Sequence, residues 1–223
     1  MSVEACLRDF NTMNKYIIEF IGTFFLTLTY AFTGNPLAIG AVFASLIYMG
    51  SGVSGGHFNP ATTIAVWIQK KLIFREAGAY VLAQLSGAVL ASLVYHLLYG
   101  KTRVFFLSPD RSINILKPLF IEGLFTFALV LIILYTSVAK RAAGAQYSGL
   151  AIGLVLVGLG YAGANISGGA FNPAVGFIPI FMETFLGVCQ CHPMSFAWIY
   201  LAGPVSGSLA AAVLFRFILK EEV

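Results

Sequence analysis

The chain has 223 residues, 59% of them hydrophobic and only 10% charged, with a mean hydropathy of +0.88. So few charges cannot clothe a water-soluble surface, which excludes an ordinary soluble domain and places the chain among polytopic membrane proteins. A net charge of +4 follows from basic residues flanking apolar spans and calls for no nucleic acid.

The length fits six spans of about 20 residues, two half-spans and short connections, so the expectation is a single all-α domain over residues 1–223. The first span, Lys15 to Phe32, carries Glu19 and Thr23 on one helix face. An acid inside this apolar run argues against a cleaved signal peptide. After the turn Gly34-Asn35-Pro36, the second span runs from Leu37 to Gly50, its Gly and Ser residues suited to close helix contact. Next come Ser54 and the run Gly55-Gly56-His57-Phe58-Asn59-Pro60-Ala61. Proline suits the first helical turn and asparagine the N-cap before it, so this reads as loop, cap, then a short helix of about 11 residues to Gln69. Tyr80 to Leu98 is the third span, and Gly100 to Asn114 is a polar connection. The signals then restart. Leu116 to Val138 carries Glu122 and Thr126, and Gly149 to Ala164 is the fifth span. Ser167 and Gly168-Gly169-Ala170-Phe171-Asn172-Pro173-Ala174 open a second short helix to about Met182, and Phe196 to Leu219 is the last span.

Matching landmarks lie 103 residues apart for Glu19 and Glu122, 113 for Asn59 and Asn172, and 120 for Gly87 and Gly207. The chain is therefore one duplicated unit, residues 15–99 and 115–219. Three spans per unit is an odd number, so the second unit must be inverted relative to the first. A helix of about 11 residues covers about half of a 30 Å hydrocarbon layer, so two such helices entering from opposite faces would meet tip to tip. Irregular backbone at that depth is tolerated only when buried in protein or lining water. With the amino terminus inside, nine of the basic residues are cytoplasmic and Lys101, Arg103, Arg111 and Lys117 are external. The positive-inside rule selects that orientation, with both termini in the cytoplasm.

Glu19 and Glu122 are buried acids, readable as a proton relay or as acceptors for a loop's N–H groups. Their single occurrence per repeat, with no intramembrane cation chain, favours loop anchors. The helix N-termini at Asn59 and Asn172 each present partial positive charge that repels cations and hydronium. If each asparagine oxygen caps its own helix, its NH2 group is free to donate to a passing oxygen. Carbonyls of Gly55, Gly56 and His57 on one side, and of Gly168, Gly169 and Ala170 on the other, supply acceptors. Phe58 and Phe171 read as apolar pore wall. His57 is either a pH gate or a wall histidine held by neighbouring backbone. Cys189-Gln190-Cys191-His192 lacks the second half of a metal site, so neither metal nor cofactor is expected. The spans contain no Ser–His or paired-Asp site, which speaks against an intramembrane enzyme.

The two Ser-Gly-Gly-X-Phe-Asn-Pro-Ala runs resemble the paired Asn-Pro-Ala signatures of the aquaporin and aquaglyceroporin (major intrinsic protein) family. The Glu-x-x-x-Thr runs, Ala83-Gln84-Leu85-Ser86-Gly87 and Trp198-x-Tyr200-x-Ala202-Gly203-Pro204 resemble family patterns too. The resemblance implies a homotetramer in the lipid bilayer, with one pore per subunit that conducts passively and excludes ions and protons. It places a selectivity filter at Ile39, Gly160, Gly169 and Val175, with Tyr161 as an aromatic neighbour of the Gly160 position. Most of the family has arginine where this chain has Val175, and plant vacuolar intrinsic proteins resemble it in that valine. A ring without arginine or aromatic should be wide and apolar, suiting water together with glycerol, urea, ammonia or hydrogen peroxide, in the plasma membrane. The competing reading is an ion-coupled secondary transporter, since inverted repeats with broken helices occur there too.

Overall fold

The computed structural model describes residues 3–100, 109, 114–139, 147–188 and 194–219, with side chains from residue 12 onward. The cysteine–histidine tract at 189–192 and the basic residues at 101, 103, 111, 140, 141 and 220 lie outside the described residues. Among the described residues eight α-helices follow in order: α1 Val3–Thr33, α2 Pro36–Gly50, α3 Pro60–Ile68, α4 Phe74–Tyr99, α5 Leu116–Ile133, α6 Ser148–Ser167, α7 Pro173–Phe185 and α8 Ile199–Ile218. Segments of α1, α4, α5, α6 and α8 are long and apolar enough to cross a bilayer. The sixth crossing, α2, has only 15 residues, about 22 Å of helix.

Three helices start with the same device. Asn35 Oδ1 accepts from Leu37 N at 2.9 Å ahead of Pro36, Asn59 Oδ1 from Ala61 N at 2.8 Å ahead of Pro60, and Asn172 Oδ1 from Ala174 N at 3.0 Å ahead of Pro173. Each oxygen satisfies an N–H that the helix cannot, while proline occupies a position where no N–H is needed. The half-helices differ in length: α3 has 9 residues and α7 has 13, against the equal pair of about 11 expected. The second therefore reaches about 6 Å further.

Packing repeats the sequence duplication. The pair α1–α4 in the first half matches α5–α8 in the second, while α2 packs on α6 across the halves. A Cβ on Gly87 would lie 2.4 Å from the Phe20 carbonyl oxygen, and one on Gly207 2.0 Å from that of Gly123. These two glycines let paired helices approach at backbone distance, as small residues do between membrane helices.

Candidate functional site

The two short helices meet at their N-termini, each delivered by a loop of the same shape. Phe58 and Phe171 both have φ of 48°, a conformation rare in residues with a Cβ. The following asparagines sit at φ −156° and −155°. Holding a strained, desolvated loop requires acceptors, and the buried carboxylates supply them. Glu19 Oε1 accepts from Ser54 Oγ at 2.7 Å and His57 N at 2.9 Å, and Oε2 from Phe58 N at 2.7 Å. Glu122 Oε1 accepts from Ser167 Oγ at 2.7 Å and Ala170 N at 3.1 Å, and Oε2 from Phe171 N at 2.7 Å. Both acids are fully buried, so these charge-assisted bonds replace the water they lose.

One tyrosine closes each loop. Tyr80 donates to the Ser54 carbonyl at 2.8 Å, and Tyr200, 120 residues later, donates to the Ser167 carbonyl. Sequence reasoning passed over this pair, although their spacing equals that of Gly87 and Gly207. Gln84 has no second-half counterpart: it donates to Glu19 Oε2 at 2.7 Å and to Thr63 Oγ1 at 2.9 Å.

Between the helix tips the two halves exchange hydrogen bonds. Asn59 Nδ2 donates to the Phe171 carbonyl at 2.9 Å, and Asn172 Nδ2 donates to the Phe58 carbonyl at 2.8 Å. This corrects the expectation of wholly free amides. One hydrogen of each NH2 is committed to the opposite loop, which leaves one per asparagine as a donor. Phe58 and Phe171 are completely buried. Phe58 fills the notch at Gly22, where a Cβ would lie 2.1 Å from its ring, and Phe171 packs edge-on against Phe125. The two rings therefore buttress the loops from within the protein core.

A cavity lies on either side of this junction. The one beside the first loop holds about 340 Å³ and is lined by Lys15, Ser54, Gly55, His57, Lys71 and Tyr80 among others. Lys15 is paired with Glu76 at 2.7 Å. His57 Nδ1 lies 3.1 Å from Thr63 Oγ1, whose own hydrogen goes to the Asn59 carbonyl at 3.2 Å. That chain assigns the proton to Nδ1 and leaves Nε2 as an acceptor on the cavity side.

The cavity beside the second loop is much smaller, about 10 Å³, room for about one water. It brings together Ile39, Gly160 and Gly169 from three helix or loop segments, with Gly168 adjacent, but Val175 is not on its wall. Val175 is fully buried in the apolar cluster that includes Tyr30, Ile39 and Phe171. This cavity differs from the expected wide ring in two further respects. Gly160 gives its missing side chain to helix packing, since a Cβ there would lie 2.8 Å from Pro36 Cβ. Tyr30, unnoticed in the sequence, enters the ring from α1 and donates to the Gly169 carbonyl at 3.0 Å. Tyr161 is exposed, with its hydroxyl 3.5 Å from Asn35 Oδ1, and does not line the cavity.

Inverted repeats whose two half-helices abut through their caps define a class of integral, multi-pass membrane proteins with a broken-helix junction. The family model for major intrinsic proteins matches residues 31–215, and the chain belongs to that family of channels. It is 33% identical to glycerol uptake facilitator protein-like 6 of Lactiplantibacillus plantarum, over 94% of this chain and 100% of that protein. It is 34% identical to the probable aquaporin AqpM of Archaeoglobus fulgidus, over 84% of this chain and 78% of that one. The X-ray structure of the aquaglyceroporin from Plasmodium falciparum superposes with a TM-score of 0.80 at 22% identity, covering 93% of this chain and 97% of that one, a likeness of fold.

Proposed function

We propose that residues 1–223 form one channel domain that passes water and small neutral solutes down their gradients and excludes ions and protons. The candidates among solutes are glycerol, urea, ammonia and hydrogen peroxide, in keeping with relatives named as an aquaporin and a glycerol uptake facilitator. The observation that carries this reading is the reciprocal asparagine junction: two helix N-termini face each other, each with one uncommitted amide hydrogen. A water passing there would accept from Asn59 and Asn172 while both helix dipoles repel cations. Pro60, Ala61, Pro173 and Ala174 form the first turns that aim those dipoles. Carbonyls of Gly55, Gly56, His57, Gly168 and Ala170 serve as acceptors on the way in and out. Ile39, Gly160 and Gly169 form the narrow ring, with Val175 packed behind it.

Passive conduction is favoured over ion coupling because both oxygens of Glu19 and of Glu122 are engaged by loop donors. The distribution of basic residues supports cytoplasmic termini, with the 340 Å³ cavity as the cytoplasmic mouth, and the membrane proposed is the plasma membrane. The family resemblance supports a homotetramer with a conduit in each subunit. Stopped-flow light scattering of proteoliposomes tests the reading: shrinkage should outpace protein-free vesicles, scale linearly with the osmotic gradient and ignore imposed ion gradients. Flux that saturates or follows an ion gradient would establish a transporter instead.

A further inference from the structure

The geometry points to Tyr30 as the residue that sets the size limit at the narrow end, restricting passage to water-sized neutral solutes such as water, ammonia and hydrogen peroxide. This rests on the channel reading above and narrows its candidate solutes, setting glycerol and urea aside. Of the residues assigned to the ring, Gly160 and Gly169 have no side chains, Val175 is off the cavity wall, and Ile39 alone brings a side chain to it. The bulkiest wall side chain comes from α1. Tyr30 is 5% exposed, and its hydroxyl is held by the Gly169 carbonyl at 3.0 Å. A phenol fixed by its helix at one end and a hydrogen bond at the other cannot swing aside without breaking that bond.

The duplication provides an internal control. Tyr30 lies 11 residues after Glu19, and the residue at the same place after Glu122 is Ile133. Ile133 lines the other cavity, so this register faces the path in both halves. Where it is isoleucine the cavity holds about 340 Å³, and where it is tyrosine about 10 Å³. Other wall residues differ too, but among the described residues Tyr30 is the only aromatic on the narrow cavity's wall. Where most of the family relies on a charged arginine, this chain narrows the path with an uncharged ring. Its sieve therefore works by the bulk of the ring, without a fixed charge.

The test is stopped-flow scattering of proteoliposomes holding the full chain, under sucrose, glycerol and urea gradients, for wild type, Tyr30→Ala, Tyr30→Leu and Tyr30→Phe. Wild type and Tyr30→Phe should shrink in sucrose faster than empty vesicles and admit glycerol and urea no faster than empty vesicles. Tyr30→Ala should raise glycerol and urea entry about tenfold while water changes less than about threefold. Tyr30→Leu keeps an apolar side chain in the cluster and should give the same sign of change should the alanine variant not fold. Wild-type vesicles that pass glycerol freely, or shortened variants that gain none, would overturn the role of Tyr30 with the channel intact. Wild-type vesicles that pass water no faster than empty ones would overturn the channel itself.

Discussion

Replacing Glu122 by glutamine changes one oxygen for an NH2 and leaves the shape alone. The two carboxylate oxygens accept from Ser167 Oγ and Ala170 N on one side and from Phe171 N on the other. Ser167 can turn its hydroxyl round to accept, but a backbone N–H cannot. Whichever way the new amide lies, one of Ala170 N and Phe171 N faces a donor and loses its bond. A buried N–H so orphaned, together with the loss of a charge-assisted bond, costs about 2–3 kcal/mol, a fall of about 5–10 °C in Tm for a chain of this size. Thermal unfolding of the purified protein in detergent, followed by circular dichroism, measures it. Glu19→Gln offers the same choice between His57 and Phe58 and should fall by a similar amount. A Tm within 2 °C of wild type, or a normal Tm combined with loss of proton-gradient-dependent flux, would refute the acceptor role and revive a relay.

Val175→Arg forces a guanidinium into a wholly buried apolar site; it should destabilise by about 3 kcal/mol or more, and Tyr30→Gly in the same chain should recover part of that in a double-mutant cycle of Tm values. Gly207→Ala sets a methyl 2.0 Å from the Gly123 carbonyl oxygen and should cost about 2–3 kcal/mol. Gly158→Ala, with nothing within 4 Å, should be neutral or gain up to about 1 kcal/mol, and detergent unfolding of both tests the α5–α8 approach. Asn172→Asp keeps the helix cap but turns a carboxylate oxygen toward the Phe58 carbonyl. Its Tm should fall by about 3 kcal/mol in equivalent stability and proteoliposome water flux should drop with it; an unchanged Tm would show that the reciprocal bond holds nothing together.

The architecture is legible because its signals are local and doubled. Asn-Pro after Gly-Gly states where a helix starts, and a second copy in a three-span repeat states that the halves oppose each other. The buried acids are legible as acceptors because nothing cationic accompanies them, and each is met by three or four donors. What escaped depends on the rotation of helices about their axes. In α6, apolar on every side, periodicity does not say which face turns Gly160 onto Pro36; on α1 the pair Glu19 and Thr23 marks the face of Tyr30 but not its partner Gly169. Comparing the repeats position by position would have exposed Tyr30 against Ile133. The amide exchange escaped because each bond joins residues more than 110 positions apart, with no trace in either segment alone.

That exchange also constrains the order of assembly. As the chain emerges during synthesis, the first half is complete when Asn59 still lacks the carbonyl it will donate to, and Phe58 the amide it will receive from. Until the second re-entrant segment arrives from the opposite face, the first is held by Glu19, Tyr80 and Gln84 of its own half and lacks the two amide bonds that lock the helix tips together.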